Sequence, residues 1–515
     1  MQLSSGPDTG AVNFGRPRIR SSVTPAVLVF ILVLIPSLVK LIYYPHNIGS
    51  DDAFIQLQVA RNIATGHGWA LNPDQPVNIS TGPLYTAFVA ALDKLDFAHA
   101  IGIAQLLTCV AGALGLLLIY LRVRGAHAGF QWIALAAAAV PAFSLNLWRW
   151  NGDLMEAVVG FFFVSLLLFL FRTWRSLSPL ACLRNGIVLG LSYLVRPELI
   201  LALFVCAVLM AFLGQPGKRI LLSALALVGA TIVIAPWSYF CHLYFGSALP
   251  TAFYAKASAP AVLWNPEVIR QFIGLAVESY FWPSLLLLIL IFIASKARAD
   301  FATYIDLFLP VGLLLGIFVF HYLRTRGLES AGRYLLPFEA CLACVVGILL
   351  KIITGFHNER GRAVIVGLFL ALHAVTAIGL NHILLAPILE GFDTQYRATM
   401  TDAAIYLSAH TVPADNVLAV TDIGVVSWVA NGRFRINDSH GLSAPEIRRF
   451  DLRRQIAILK PKYVVFSLDV APDYLAARQG SLLQPVWRRR FRQHGLWASL
   501  STPYNYTTIC TVDGQ

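Results

Sequence analysis

The feature that most constrains this chain is a series of long apolar runs separated by short basic segments. Hydrophobic residues make up 57% of the 515 residues, whereas Asp, Glu, Lys and Arg together make up 13%. A soluble domain carries about 25% charged residues, and a helix needs about 20 mostly apolar residues to cross a bilayer. The sequence therefore predicts a polytopic α-helical membrane protein.

About eleven of these runs are predicted to be transmembrane helices. Lys and Arg concentrate in alternate loops between the runs, and the positive-inside rule assigns those loops to the cytoplasm. Arg16, Arg18 and Arg20 precede the first run, and no small-residue cleavage site follows it, which predicts an uncleaved first helix. The predicted spans are 24–43, 98–121, 130–148, 157–171, 182–195, 199–213, 220–239, 283–295, 304–322, 334–352 and 363–385.

This alternation of loops divides the chain into three parts. Residues 1–23 form a predicted cytoplasmic tail, and residues 24–385 form a transmembrane domain of the inner, or plasma, membrane with outer loops at 44–97 and 240–282. Residues 386–515 fall on the outer, periplasmic or extracellular side, where short β-rich runs alternate with helical spacing. We predict that this part is a small extracytoplasmic α/β domain with a mainly parallel sheet.

The net charge of +12 has two explanations. In a soluble protein it would indicate a nucleic-acid partner. Here the basic residues follow the apolar runs, and no basic stripe interleaves with aromatic residues. The charge is therefore assigned to cytoplasmic loops, and no nucleic-acid partner is predicted.

Two adjacent acids, Asp51 and Asp52, closely follow the first predicted span. Ser50 can cap a helix that begins there, and Asp51 would then share a helix face with Asn62. Acids in a first helical turn stabilise it by about 0.3–1 kcal/mol through the helix dipole, but that role needs only one acid. Two acids at a membrane boundary, followed by Arg61 and Asn62, instead indicate a functional site.

Further charged residues lie where other spans reach the outer side. Glu156 lies at the start of the fourth span, with Asp153 as the nearby alternative. An ionisable group at such a helix end either lies in water or faces a cavity or a partner. Arg196 either pairs with Glu198 or binds phosphate, for which its guanidinium fork is well suited.

Two more cations are predicted at the outer face. Lys256 lies beside Tyr254 in an aromatic, nearly uncharged loop, which favours anion binding over a solubilising role. Arg333, at the outer end of the tenth span, either snorkels to the interface or binds an anion. Carboxylates suit general-base catalysis, and cations suit a phosphate that departs with its charge stabilised.

Signals for a metal or cofactor are weak. Cys341 and Cys344 form a CxxC within an apolar run and have no His or Cys nearby, which is typical of buried packing residues. His46, His67 and His242 are scattered on the outer side. No P-loop or HExxH motif occurs, so no metal or cofactor is predicted.

Several short blocks nevertheless form a recognisable series. In order they are "DDAFIQLQVARNIATGHGWALNP", "NISTGPLY", "GDLMEAVV", "LVRPEL", "YFGSALPTAFYAK" and "GRYLLP", scattered between residue 51 and about residue 338. They resemble blocks found in the same order in GT-C fold glycosyltransferases that use polyprenyl-phosphate sugars, notably the arabinofuranosyltransferase, aminoarabinose-transferase and protein O-mannosyltransferase group. The stretch "TDIGVVSWVANGRFRINDSHGL" resembles the outer domain of arabinofuranosyltransferase-like members.

This resemblance implies a hydrophobic cavity for the lipid donor that opens to the outer leaflet. It implies an acid of the first outer loop as the general base, a role that falls on Asp51 or Asp52, with Asp51 favoured. A hydroxyl of a cell-envelope glycan, lipid or protein would then displace polyprenyl phosphate with inversion, and Arg196, Lys256 or Arg333 would meet the phosphate charge. Relatives that use a divalent metal carry spaced acids, whereas the acids here are adjacent, so metal dependence is not supported.

A transporter or flippase for lipid-linked sugars is the alternative function. It would need polar groups at the bilayer midplane and broken helices in paired halves. The sequence instead places acids at the outer boundary, shows no inverted repeat and adds a folded outer domain. These features favour the enzyme.

Overall fold

The structure is a computed structural model, and the residues that it describes cover most of the chain. They are residues 50–96, 99–125, 130–213, 216–257, 306–316, 332–355, 363–375, 391–420, 422–468, 483–492 and 504–512, with the single positions Val27, Ile31, Leu34, Ser37, Leu38, Ile42, Gly361 and Gly379.

Helices dominate the described ranges and are numbered here in chain order. They are α1 (Asp51–Ala64), α2 (Pro83–Leu95), α3 (Ala100–Arg124), α4 (Gln131–Ala142), α5 (Leu145–Trp150), α6 (Ala157–Leu170), α7 (Pro179–Val195), α8 (Ile200–Leu213), α9 (Arg219–Phe245), α10 (Thr251–Ala257), α11 (Asp306–Gly316), α12 (Gly332–Gly355), α13 (Ala363–Val375), α14 (Ala398–His410), α15 (Gly424–Ala430) and α16 (Leu452–Leu459).

Most predicted spans coincide with helices to within a few residues. The predicted span 130–148 differs, because the chain turns at Phe143 and divides it into α4 and α5. The Ser144 hydroxyl accepts a hydrogen bond from the Asn146 amide at 3.1 Å and so begins the second helix. The predicted span 283–295, most of 24–43 and the ends of 304–322 and 363–385 lie outside the described residues.

Two of the described helices, α3 and α9, are long and apolar enough to cross a membrane by length and composition. Helices α4, α6, α7, α8, α11 and α13 are shorter apolar helices. Eleven spans therefore remain a prediction.

The helical region is closely packed at its centre. Helix α6 packs against α3 and α12, and Leu116 and Phe161 are fully buried there. Helices α7 and α9 approach so closely that a Cβ on Gly186 would lie 2.1 Å from the carbonyl oxygen of Ala226. Small residues permit such backbone approaches between membrane helices, so glycine is required at this crossing.

The C-terminal region folds into a small α/β domain, as predicted, around a five-stranded sheet ordered β2-β1-β3-β5-β4. Strand β1 pairs in parallel with β2 and β3, whereas β5 pairs antiparallel with β3 and β4. The sheet is therefore mixed rather than mainly parallel, because two of its four strand pairings are parallel and the two that involve β5 are antiparallel. The strands are β1 (Asn416–Ala419), β2 (Arg435–Asp438), β3 (Tyr463–Leu468), β4 (Leu483–Arg492) and β5 (Tyr504–Val512).

Both faces of this sheet are covered. Val417 and Val465 belong to the buried cluster that includes α14 and α15, and Leu418 and Val464 pack with Ile456 of α16 on the other side. Helix α15 also packs against α1 of the first outer loop. The outer loop and the C-terminal domain are therefore in direct contact.

Candidate functional site

Helix α1 begins at Asp51, as the sequence predicts, and places the two acids in its first turn. Ser50 occupies the N-cap position, but its side chain makes no capping hydrogen bond. Asn62 is buried. Successive residues of an α-helix lie about 100° apart around its axis, since a turn holds 3.6 residues. The carboxyl groups of Asp51 and Asp52 consequently reach different surroundings.

Asp52 forms an ion pair with Arg333 at the start of α12. Its Oδ2 lies 2.5 Å from Arg333 Nη2, and its side chain is 45% exposed whereas that of Arg333 is 5% exposed. Arg333 Nη2 also donates to the Tyr334 hydroxyl at 3.2 Å. Within the described ranges, no atom accepts a hydrogen bond from the buried Nη1 of Arg333. The cation is thus buried beside an acid rather than snorkelling to the interface.

Arg196 lies between two acids directly after α7. Its Nε donates to Glu198 Oε1 at 2.5 Å, and its Nη1 lies 3.6 Å from Glu156 Oε1, which is an ion-pair distance too long for a hydrogen bond. The Tyr334 ring contacts both cations, with its centroid 4.8 Å from Arg196 Cζ and 5.0 Å from Arg333 Cζ. Arg196 and Arg333 therefore belong to one cluster, and the pair with Glu198, one of the two alternatives for Arg196, is present.

Glu156 is held in place by two residues of the first outer loop. Gln56 Nε2 donates to its Oε2 at 2.5 Å, and Thr81 Oγ1 donates to its Oε1 at 3.3 Å. The first outer loop thereby reaches the same group of charges through Gln56 and Thr81 as well as through Asp52. We call these residues the charged cluster: Asp52, Glu156, Arg196, Glu198 and Arg333.

Asp51 lies outside this cluster and contacts the C-terminal domain. Its Oδ2 accepts hydrogen bonds from the backbone amides of Ile423 at 3.1 Å and Gly424 at 2.6 Å, and its Oδ1 accepts one from Val425 at 2.8 Å. These amides lie at the start of α15. The carboxyl group favoured from the sequence as the catalytic base is therefore engaged by three main-chain donors.

The acids around Asp51 hold protons more tightly than usual. Burial and the neighbouring Asp422 raise the pKa of Asp51 to about 8, against the lowering effect of the Val425 and Gly424 amides. Burial likewise raises the pKa of Asp422 to about 6, against a hydrogen bond from Tyr396. The hydrogen bond to Asp438 raises the pKa of His440. Asp51 is therefore protonated near neutral pH, and Asp422 and His440 each keep a proton to a higher pH than usual.

The remaining predicted residues lie near the loop and make other contacts. The Arg61 guanidinium stacks on Trp428, with Cζ 3.2 Å from the ring centroid, and its Nη1 donates to the Trp428 carbonyl oxygen at 3.1 Å. Asn62 Nδ2 donates to the carbonyl oxygens of Ala70 at 2.8 Å and Leu71 at 3.0 Å. These contacts fold the loop and attach it to α15, so the structure does not bring Arg61 or Asn62 into the charged cluster.

Two residues of the second outer loop complete the predicted set. The Tyr254 hydroxyl lies 3.0 Å from Ser247 Oγ, and the Arg448 guanidinium lies 5.6 Å from its ring centroid. The side chain of Lys256 lies outside the described part of the structure. Substrate binding by these two residues remains a prediction.

Sequence reasoning missed Gln56, Tyr334 and Asp422. Gln56 is four residues after Asp52, and helical spacing alone places both on one face of α1. Tyr334 directly follows Arg333. Asp422 comes just after β1 and Asp438 ends the neighbouring parallel strand β2, so both could have been placed at one edge of the sheet.

Among the residues that the structure describes, no group of three or more His, Cys, Asp or Glu side chains is arranged to hold a metal ion.

Similarity to solved structures identifies the fold of this chain. A family model described as a domain of unknown function (DUF8728) matches residues 388–509. Comparison with curated protein sequences gives no match. The crystal structure of ArnT from Cupriavidus metallidurans bound to undecaprenyl phosphate is similar, with a TM-score of 0.58 and 16% identity over 96% of this chain and 97% of that one. The chain has the GT-C fold.

Two further solved structures agree. Arabinofuranosyltransferase AftD from Mycobacteria matches with a TM-score of 0.54 and 15% identity over 96% of this chain and 40% of that one. The oligosaccharyltransferase AglB from Archaeoglobus fulgidus, in complex with an inhibitory peptide and a dolichol-phosphate, matches with a TM-score of 0.51 and 13% identity over 86% and 69% of the two chains. The three solved structures therefore agree on the fold of this chain.

Proposed function

We propose that this chain is a glycosyltransferase that moves a sugar from a polyprenyl-phosphate donor to a hydroxyl group of a cell-envelope acceptor. The observation that carries the proposal is the ion pair between Asp52 and Arg333, which joins an acid of the first outer loop to a cation far along the chain. A base and a phosphate-binding cation are the two groups that such a transfer requires. ArnT, which shares the fold, is known bound to undecaprenyl phosphate.

The proposed phosphate site is formed by Arg196 and Arg333. Both side chains are buried, and in the described part of the chain the Nη1 of each has no hydrogen-bond acceptor. A buried donor without an acceptor costs about 1–3 kcal/mol, and a phosphate oxygen would remove that cost. Guanidinium groups bind phosphate well because their donors are planar and always charged. Lys256 is a proposed third cation.

Asp52 is the proposed general base. Its side chain is half exposed, whereas the carboxyl oxygens of Asp51 already accept three main-chain hydrogen bonds. Glu156 is buried and held by Gln56 and Thr81. Among these acids Asp52 is therefore the one best able to reach an acceptor hydroxyl.

The reaction is a single displacement. The acceptor oxygen gives its proton to Asp52 and forms a bond to the anomeric carbon, while the bond from that carbon to the phosphate oxygen breaks. Polyprenyl phosphate leaves with the bonding electrons, and its negative charge is stabilised by Arg333 and Arg196. Attack opposite the leaving group inverts the anomeric configuration. No cofactor takes part in the proposed reaction.

The proposed orientation places this site on the outer side of the membrane. The positive-inside rule assigns the N-terminal tail and the basic loops to the cytoplasm. The first outer loop and the C-terminal domain, which contact each other, then both face the periplasm or its equivalent.

The experiment that tests the proposal measures release of the lipid phosphate. Purified protein in detergent would be incubated with undecaprenyl-phosphate-linked arabinose, mannose and glucose, with a cell-envelope extract as the acceptor. We expect at least one donor to yield undecaprenyl phosphate together with labelled acceptor. Release of neither product from any donor would overturn the proposed function.

The base is tested by replacing Asp52 with Asn. General-base catalysis contributes about 10²–10⁴-fold, so Asp52→Asn should lower kcat by that factor. Asp74→Asn is the matched control, because Asp74 is a 79% exposed acid of the same loop with a positive φ that Asn tolerates. If Asp52→Asn has the same kcat as Asp74→Asn, Asp52 is not the general base.

A further inference from the structure

We propose that Asp51 is a positioning residue that fixes the first outer loop to the C-terminal domain, so that this domain sets the orientation of Asp52. The inference rests on the proposed glycosyl transfer, and it assigns different roles to the adjacent acids Asp51 and Asp52. One carboxyl group anchors α1, and the other is presented to the acceptor.

The first step in the argument is the geometry of the anchor. A carboxyl group that accepts three backbone amide hydrogen bonds is held in both position and rotation, because its two oxygens are bonded to different amides. The donors belong to the main chain at the start of α15 and do not change rotamer. Asp51 is thus tied to the backbone of the C-terminal domain.

Gly424 permits this contact. A Cβ at that position would lie 1.9 Å from the Asp51 carbonyl oxygen and 2.8 Å from its Oδ2. Only glycine lets the two main chains approach so closely. The residue type at 424 is therefore set by the outer loop rather than by the helix that it begins.

Arg61 and Asn72 make further polar contacts along the same interface as Asp51. Arg61, at the far end of α1, stacks on Trp428 of α15. Asn72 Oδ1 accepts from the Ile436 amide at 2.9 Å and its Nδ2 donates to the Ile436 carbonyl oxygen at 3.0 Å. We call the contacts of Asp51, Arg61 and Asn72 with the C-terminal domain the loop–domain interface.

The interface holds α1 at both ends. Asp51 fixes the first turn of α1, and Arg61 fixes the last turn against α15. Asp52 is the residue adjacent to the first anchor, so its backbone position follows that of Asp51. A catalytic group displaced by about 1 Å can lose about 10²-fold in rate. The C-terminal domain therefore acts on the reaction through the position of the base.

The test compares substitutions at Asp51 and Gly424 with Asp52→Asn in the full-length protein. The assay uses whichever undecaprenyl-phosphate sugar the wild type turns over. Asp51→Asn keeps one acceptor oxygen, Asp51→Ala keeps none, and Gly424→Ala separates the two main chains. Gly102→Ala is the matched control, because a Cβ there has nothing within 4 Å.

We expect kcat to fall about 10²-fold in Asp51→Ala and Gly424→Ala, with an unchanged KM for the lipid donor because the phosphate-binding cations are untouched. Asp51→Asn should recover part of the loss, since its one carbonyl oxygen still accepts from the backbone whereas its NH2 group cannot. Asp52→Asn should not recover, because an amide cannot take a proton. Gly102→Ala should behave as the wild type.

Hydrogen exchange of the amides of Ile423, Gly424 and Val425 reports the contact itself. Exchange should become faster in Asp51→Ala than in Asp51→Asn, while the amides of α3 remain unchanged. This measurement compares only the Asp51 variants, so it tests the contact even if Gly424→Ala fails to fold.

The outcomes are distinguishable. An active wild type with Asp51→Asn as inactive as Asp52→Asn overturns the positioning role and returns Asp51 to the catalytic step. An active wild type with an Asp51→Ala variant of unchanged kcat also overturns it. A wild type that transfers no sugar overturns the proposed function, and the positioning role with it.

Discussion

The charged cluster and the loop–domain interface use adjacent residues of one helix in different ways. In the cluster, side chains pair with side chains, as in the contacts of Arg333 with Asp52 and of Arg196 with Glu198. At the interface, side chains pair with the main chain, as Asp51 does with Gly424 and Asn72 with Ile436. Both regions begin in the same turn of α1.

The difference between side-chain and main-chain pairing indicates which region can accept a ligand. Side-chain partners can rotate, and Arg196 and Arg333 each have a donor with no acceptor in the described part of the chain, so a phosphate can enter without breaking the fold. Main-chain donors cannot move away without moving the domain. The cluster is therefore suited to binding and the interface to holding position.

The largest effect is expected from removing Glu156. Breaking a buried ion pair by deleting one partner costs about 3–5 kcal/mol, because the other charge stays buried. Glu156→Ala should lower the free energy of unfolding by about that much, as measured by thermal unfolding in detergent. Glu446→Ala, at an exposed position, is the control. Equal stability of the two variants would mean that Glu198 alone neutralises Arg196.

Removal of Arg333 should affect transfer next most strongly. Loss of one donor to a developing oxyanion typically costs about 10²–10³-fold, so Arg333→Ala should lower kcat/KM by that factor. Arg333→Lys should recover part of it, because the charge remains while the planar fork is lost. The control is Arg433→Ala, at an exposed position. Full activity of Arg333→Ala would show that Arg333 of the charged cluster does not bind the phosphate.

A smaller effect is expected from Asn72→Ala at the interface. The substitution leaves the amide and the carbonyl oxygen of Ile436 without this partner on β2, an end strand of the sheet. Buried polar groups left unpaired cost about 1–3 kcal/mol, and hydrogen exchange at Ile436 should become correspondingly faster. Gln484→Ala on the opposite end strand is the control. Unchanged exchange at Ile436 would show that Asn72 does not anchor the loop.

The smallest effect is a pH dependence of the interface. The pKa of Asp51 is raised from 3.8 to about 8 and that of Asp422 from 3.8 to about 6, so the folded state binds these protons more tightly than the unfolded state does. The stabilisation is full below about pH 4 and is lost as the pH rises through 6 and 8. The raised pKa of His440 acts in the same direction. The titratable groups that face Asp51 and Asp422 are Asp52, Tyr396, Asp438 and His440.

Hydrogen exchange at residues 423–425, corrected for the intrinsic rate, checks this dependence. Protection should be greater at pH 6 than at pH 9, and Asp51→Asn should flatten the difference because its side chain does not titrate. Equal protection of the wild type at pH 6 and pH 9 would contradict the expected loss of stability as the pH rises.

Much of the helical region could be predicted because its signal is local. The apolar runs at α3 and α9 have the length and composition of membrane helices, and Ser50 as an N-cap residue predicts the start of α1 at Asp51, although its side chain makes no capping hydrogen bond. The pairing of Arg196 with Glu198 across Pro197 involves residues only two positions apart. Each of these features depends on near neighbours in the sequence.

The partners of the two acids could not be predicted because they are distant in sequence. Arg196, Lys256 and Arg333 were equivalent candidates for a cation near the site, and the structure pairs Asp52 with Arg333. The donors to Asp51 are backbone amides, which every residue except proline carries, so no residue type in the sequence marks them.

The sequence by itself determined that this chain has many apolar helices, a helix beginning at two adjacent acids and a C-terminal α/β domain. Only the tertiary structure decided that one acid meets a buried arginine and the other meets the main chain of that domain. The physical reason is that helix periodicity separates the two side chains by about 100°, while the residues that each then meets are set by how distant segments pack.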